Sequence, residues 1–255
     1  MNGADLLVKC LEKEEVDVVF GYPGVAICPF YNSILSSEVK TVLIRTEQNA
    51  AHAASGLARV TGKVGVCAVT SGPGATNLIT GIATAYADSI PLVCITGQVD
   101  SSLLGSDVFQ EADITGASES FVKYSYLVKD AEEIPRIMKE AFYIANTGRK
   151  GPVLIDVPID VQNQVVSKFR YPDDIKMRTY KPTVKGNIVQ IHKVGKEIEK
   201  AKSPIICAGG GVFLSDAQEE LRTFAEKFQI PVVSTMMGIG VMPTEHPLYY
   251  GNVGN

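Results

Sequence analysis

One acid, Glu47, opens a stretch that offers little other ionisable chemistry, "RTEQNAAHAASGLAR" from Arg45 to Arg59. Thr46 can serve as the N-cap of a helix there, and an acid in a first helical turn is favoured by the helix dipole by ~0.3 to 1 kcal/mol. That is one reading of Glu47. The other is chemical. The small residues that follow, Ala50, Ala51, Ala53 and Ala54, leave room for a flat ligand close to the backbone, and a carboxyl shielded from water there can hold or move a proton. On these residues alone both readings stand.

Glycine-rich turns accompany this helix: "GYPG" (21–24), "TSGPGATN" (70–77), "TGQVD" (96–100) and, further on, "GGGV" (209–212). Gly72 and Gly74 permit close backbone approach, and a helix starting after them would offer free N–H groups to an acceptor. Neither nucleotide fingerprint is met. No Lys follows at P-loop spacing, Asn77 stands where a GxGxxG run needs glycine, and Leu214 breaks the same pattern after Gly209, Gly210 and Gly211. Taken singly, each turn reads equally well as a tight connection with no ligand. The histidines, His52, His192 and His246, lack a metal-ligand spacing, so no protein-ligated transition metal is assigned. Cysteines 10, 28, 67, 94 and 207 are odd in number, without CxxC spacing, and Cys67, Cys94 and Cys207 lie in apolar β-branched runs. Buried free thiols are expected.

The elements that must position these residues alternate along the chain. "VDVVF" (17–21), "TVLI" (41–44), "VGVCAV" (64–69), "PLVCIT" (91–96) and "PVLIDV" (152–157) read as strands, separated by stretches with apolar residues three and four apart that read as helices. Such alternation predicts an α/β fold with a doubly wound parallel sheet, and it puts "GYPG" (21–24), "RTEQ" (45–48), "TSGPGATN" (70–77) and "TGQVD" (96–100) at the carboxyl ends of the first four strands, where open sheets bind ligands. Residues 1–164 form this domain. The polar stretch 165–186, with Pro172 and Pro182, reads as a linker. A second, Rossmann-like series over 187–255 contains the strands "PIICA" and "PVVST", and two strands make an incomplete sheet, so a piece of a longer protein is expected.

The chain has 255 residues, 45% of them hydrophobic, which suffices for a large core. A formal net charge of -4 offers no basic stripe for nucleic acid. No apolar run approaches the ~18 residues of a membrane span, and the first residues lack a signal-peptide pattern, so a cytoplasmic protein is expected.

Taken in order, "GYPG", "RTEQNAAHAASGLAR", "TGKVGVCAVTSGPGATNLITGIATAYADSIPLVCITGQV", "GSDVFQEADI" and "GRKGPVLIDVPIDVQ" resemble the pyrimidine-binding domain of thiamine-diphosphate enzymes, and most closely the acetolactate (acetohydroxyacid) synthase family. The resemblance continues more loosely through "GGGV" and "STMMGIG". It implies that Glu47 hydrogen-bonds a ring nitrogen of the cofactor's aminopyrimidine and drives its exocyclic amine towards an imine that deprotonates the thiazolium. Pro23, Gly24, Gly74 and Asn77 would then lie near the pyrimidine. Gln110 and Phe109 would face the reacting carbons, and Lys181 would match a lysine at the substrate entrance. Pyruvate would be decarboxylated and condensed with a second pyruvate or with 2-oxobutyrate. The resemblance further implies FAD, with Arg149, Gly209, Gly210, Gly211, Thr235 and Met236 at the flavin, and Mg2+ bound through a Gly-Asp-Gly domain whose motif does not occur in these residues. A homodimer or homotetramer, with a regulatory small subunit, would complete the enzyme. The chain departs from the family's pattern at Val25, at the flanks of Glu47, and over Asp100 to Leu103. Two other assignments are compatible with the motifs: a different FAD-associated thiamine enzyme such as a pyruvate oxidase or carboligase, and a non-catalytic nucleotide-binding or assembly module.

Overall fold

The structure, a computed structural model, describes residues 1–254. It divides into two compact units, residues 1–182 and 183–255. The first carries six strands, β1 (Val18–Tyr22), β2 (Lys40–Leu43), β3 (Gly65–Val69), β4 (Leu92–Gln98), β5 (Tyr124–Leu127) and β6 (Pro152–Pro158). Its helices are α1 (Gly3–Lys13), α2 (Cys28–Ile34), α3 (Glu47–Thr61), α4 (Pro73–Asn77), α5 (Ile79–Ala87), α6 (Ile114–Ser118), α7 (Ile134–Asn146) and α8 (Ile159–Asn163). All strand pairs are parallel, in the order β2-β1-β3-β4-β6-β5.

The inner strands are apolar throughout because both faces are covered. Val66, Ala68, Val93, Ile95, Val153 and Ile155 pack with α1, α2 and α7, whereas Cys67, Val69, Leu92, Cys94 and Leu154 pack with α3 and α5. Crossover handedness distributes the helices. Connections that step along the sheet one way (β1 to β2 and β5 to β6) run over one face, and those that step the other way (β2 to β3 and β3 to β4) run over the other. The direction reverses between β1 and β3, and a crevice opens beyond the carboxyl ends of strands at such a point.

Several expectations are revised here. β5, "YSYL", is an edge strand that sequence periodicity does not reveal, because its residues are half-buried to exposed. β2 is fully exposed along its length, since it is the opposite edge. The polar stretch read as a linker is largely a strap on the first unit: Val166 is buried, and Phe169, Tyr171, Met177 and Tyr180 pack against the α1/α7 core.

The second unit contains α9 (Ile188–Lys200), β7 (Ile206–Ala208), α10 (Gly211–Leu214), α11 (Gln218–Phe228), β8 (Val232–Ser234) and β9 (Tyr249–Asn252). Its sheet has three parallel strands, β7-β8-β9, one more than the sequence reading found. Cys207 is exposed, contrary to expectation: strand alternation aims Ile206 and Ala208 at the small core and turns Cys207 to the other side. Cys28 is also exposed, whereas Cys10, Cys67 and Cys94 are buried.

Candidate active site

Glu47 is the first residue of α3 and is only 8% exposed. Thr46 occupies the N-cap position with an extended backbone, but its hydroxyl makes no cap hydrogen bond. The carboxyl is held from the neighbouring loop instead, where Asn77 Nδ2 donates to Glu47 Oε2 at 2.9 Å. Oε1 accepts no hydrogen bond, and no cation pairs with the carboxylate, among the described residues. A buried carboxylate with one oxygen fixed and the other free is suited to take or give a proton at a defined point.

The loops after β1 and β3 close around it. A Cβ placed on Gly74 would stand 3.4 Å from Glu47 Oε1 and 2.7 Å from Thr70 Cγ2, and one on Gly24 would stand 2.6 Å from the Thr70 Cβ. Gly24, Thr70, Gly74, Glu47 and Asn77 therefore form one cluster at the sheet's reversal point, and the glycines are what permit it. Thr70 Oγ1 and Ser71 Oγ in the same turn are buried without a hydrogen-bond partner. Buried polar groups are rarely left so, and two orphaned hydroxyls beside a half-satisfied carboxylate fit a heteroaromatic ligand with several ring nitrogens. Their types gave no signal in the sequence, since only their burial distinguishes them. Pro23 adjoins this cluster and is exposed.

The loop after β4 supplies the next layer. Gly72 adopts φ +59, and a Cβ there would meet the backbone of Gln110 at 2.7 Å. Gln110 itself has φ +62 and is half-buried, while Phe109 projects with 88% exposure. Glu111 gathers the loop, accepting from the backbone N–H groups of Gly105 and Val108, and these bonds, that of Gly105 foremost, hold its carboxyl below the usual range. Beneath the loop lies a polar group that sequence reasoning missed. Asp156, 2% exposed on β6, accepts from Thr96 Oγ1 at 2.6 Å and from Gln98 Nε2 at 3.0 Å. Burial raises its carboxyl to about 7, against the lowering effect of those two bonds, with the Asp113 charge adding to the rise. The available signal was an acid inside the otherwise apolar run "PVLIDV" of a central strand.

Other residues singled out from the sequence lie elsewhere. Arg149 follows α7 at the opposite rim of the sheet, where its Nε donates to Ser89 Oγ at 2.8 Å and its Nη2 to the carbonyls of Tyr86 and Ala87 at the end of α5. Lys181 is exposed beside Tyr180, whose hydroxyl bonds the Thr147 carbonyl past the end of α7, so within the first unit it is not brought to Glu47. In the second unit, Gly209, Gly210 and Gly211 follow β7, and Thr235 and Met236 follow β8. The Thr235 N–H donates to the Ala208 carbonyl at 2.9 Å, so these turns are neighbours. Met236 is exposed. Among the described residues no group of three or more His, Cys, Asp or Glu side chains could hold a metal ion, and no helix is long and apolar enough to cross a membrane.

This arrangement agrees with comparison to known proteins. Residues 1–117 match the thiamine pyrophosphate enzyme N-terminal TPP binding domain, and residues 191–255 match the central domain of the same enzymes. The chain belongs to the thiamine pyrophosphate enzyme family. Within it, the chain is 50% identical along its whole length to a probable acetolactate synthase large subunit of Methanocaldococcus jannaschii, of which it covers 43%. It is likewise 50% identical to the acetolactate synthase large subunit of Corynebacterium glutamicum, covering 41%, and 46% identical to the acetolactate synthase isozyme 3 large subunit of Escherichia coli, covering 45%. The chain thus spans less than half the length of these relatives.

Proposed function

We propose that the chain forms the pyrimidine-binding part, and the start of the central domain, of an acetolactate synthase. The complete enzyme decarboxylates pyruvate and condenses the two-carbon fragment with a second 2-oxo acid, pyruvate or 2-oxobutyrate. The observation that carries this reading is the buried Glu47 carboxyl with Oε1 free and Oε2 fixed by Asn77. Bound thiamine diphosphate supplies an electron sink for the carbon that loses carbon dioxide. Glu47 Oε1 holds a proton against a ring nitrogen of that group, Asn77 keeps the carboxylate from turning, and Gly24 and Gly74 let a flat ring approach. The Thr70 and Ser71 hydroxyls, which have no protein partner, are available as donors. Pro23 borders the ring site, Gln110 orients the reacting 2-oxo acid by hydrogen bonding, and the exposed Phe109 shields it from water. Lys181 stands at the substrate entrance in the assembled protein.

FAD is assigned to Gly209, Gly210, Gly211, Thr235 and Met236 in the second unit, supported by the adjacency of the turns after β7 and β8, and Arg149 in the first unit is assigned to it on the family resemblance alone. Mg2+ accompanies the cofactor's diphosphate outside these residues. The working form is a cytoplasmic homodimer or homotetramer with a regulatory small subunit, the last supported by relatives described as large subunits. The test is Glu47→Gln in the complete enzyme, assayed with pyruvate. Acetolactate formation should fall by about 100-fold or more, the order of a lost acid–base group. Unchanged turnover would return Glu47 to a helix-start role, and acetyl phosphate or peroxide as the wild-type product would replace the synthase by an oxidase.

A further inference from the structure

We propose that Gln98, held in place by Asp156, is a positioning residue that fixes where the 104–113 segment, and with it Phe109 and Gln110, stands above the Gly72 turn. The segment leaves β4 at Val99 and rejoins regular structure at α6. Between those points its hydrogen bonds are nearly all internal: Leu103 to Asp100, Ser106 to Leu103, Glu111 to Val108, and the Glu111 carboxylate to Gly105 and Val108. Two side-chain ties connect it to the rest of the unit, one to α8 and one to β4. At its start the Asp160 carboxylate accepts from Ser101 N at 2.9 Å and Ser101 Oγ at 2.5 Å. At its end Gln98 Nε2 donates to the Ala112 carbonyl at 2.8 Å.

The second tie matters for Gln110, two residues before Ala112. Gln98 is 2% exposed and fully engaged. Its Nε2 divides its two protons between Ala112 O and Asp156 Oδ2, and its Oε1 accepts from Val99 N at 2.9 Å. Asp156 is fixed in turn by Thr96, its register partner on β4. The amide can therefore neither flip nor turn without leaving a buried donor or acceptor unpaired, and such loss is costly. The result is a rigid post from the central strands to the loop. It sets the height of the Gln110 backbone, which has a positive φ and presses on Gly72, the residue that introduces the turn carrying Gly74 and Asn77. Gln98 touches none of Glu47, Gly74 or Asn77 by hydrogen bond, so its effect runs through the loop.

The holding role stands on this geometry, and its consequence for turnover rests on the function proposed above. The test combines two measurements on Gln98→Met, which keeps the side chain's length and removes its hydrogen bonds. By hydrogen-exchange mass spectrometry, amides of 104–113 should exchange about tenfold faster, the order of one lost hydrogen bond, while those of β4 and β6 stay within about threefold. In the same measurement Asp156→Asn, whose Oδ1 still accepts from Gln98, should leave 104–113 close to wild type. In the complete enzyme Gln98→Met should raise the KM for the 2-oxo acid about tenfold, with thiamine diphosphate affinity changed by less than about threefold, because Gln110 orients the acid. Unchanged exchange over 104–113, a rise shared equally with β4 and β6, or a loss confined to cofactor affinity would each overturn the proposal. Wild-type inactivity with pyruvate would instead remove the function proposed above, with the exchange result still deciding the clamp.

Discussion

Asp156 allows a prediction whose sign follows from burial. Its carboxyl is raised from an ordinary 3.8 to about 7 in the folded chain, first by loss of hydration. The group therefore contributes its full stability below about pH 4, where it is protonated folded or unfolded, and that contribution is lost as pH rises through 7. At about 1.4 kcal/mol per pH unit over some three units, wild type should lose about 4 kcal/mol from this site between pH 4 and pH 8. Asp156→Asn keeps an acceptor for Gln98 and can donate to a rotated Thr96 hydroxyl, but it cannot ionise. The groups that face the site are the Thr96 and Gln98 donors and the Asp113 carboxylate, which the substitution leaves in place. Urea unfolding at a series of pH values, followed by tyrosine fluorescence, reports the first unit, since eight of the ten tyrosines lie within it. The stability of the variant relative to wild type should climb by about 4 kcal/mol from pH 4 to pH 8, most steeply between 5 and 7. A difference that stays level across that range would mean that Asp156 is solvated or ionised throughout, and the account of its burial would fail.

Other outcomes follow from the same geometry. Gly72→Ala forces a side chain onto φ +59 and into the Gln110 backbone, so the first unit should lose about 1 to 3 kcal/mol in urea unfolding. Retained stability would show that the turn and the loop are not in contact. Cys28 and Cys207 should react rapidly with a thiol reagent in the native chain while Cys10, Cys67 and Cys94 wait for denaturant, burial having pushed the Cys10 thiol up. Counting reacted thiols before and after adding urea checks this, and a third fast thiol would contradict the packing of the strands.

The sheet was legible where physics makes a strand continuous. β3, β4 and β6 are buried on both faces and read as unbroken apolar runs, so their extents and the turns beyond them could be placed from residue types alone. Where one face meets solvent the signal fades: "YSYL" alternates weakly because β5 is an edge, and Cys207 sits in an apolar-looking run although β7 buries only its other side. The site was legible as far as glycines and one acid. Gly24, Gly74, Glu47 and Asn77 converge because turns at the ends of adjacent parallel strands must. Arg149 illustrates the limit. The letters of a helix-to-strand turn do not show that its guanidinium donates to the carbonyls that end α5.

The two rims of the sheet differ in how their polar groups are used, and that difference supports the site proposed above. At the amino-terminal rim, Arg149 caps α5, and Lys123 donates to the carbonyls of Ile144 and Thr147 and to Tyr180. These groups are hydrogen-bonded within the fold. At the carboxyl rim, Thr70 Oγ1 and Ser71 Oγ are buried with no partner and Glu47 Oε1 accepts no hydrogen bond, although the surrounding backbone is tightly packed through Gly24, Gly72 and Gly74. Leaving buried polar atoms unmatched costs about 1 to 3 kcal/mol each. A fold that satisfies its polar groups on one edge and withholds partners on the other is spending stability where a ligand returns it, so thiamine diphosphate should protect the first unit against unfolding more strongly than Glu47 alone could account for.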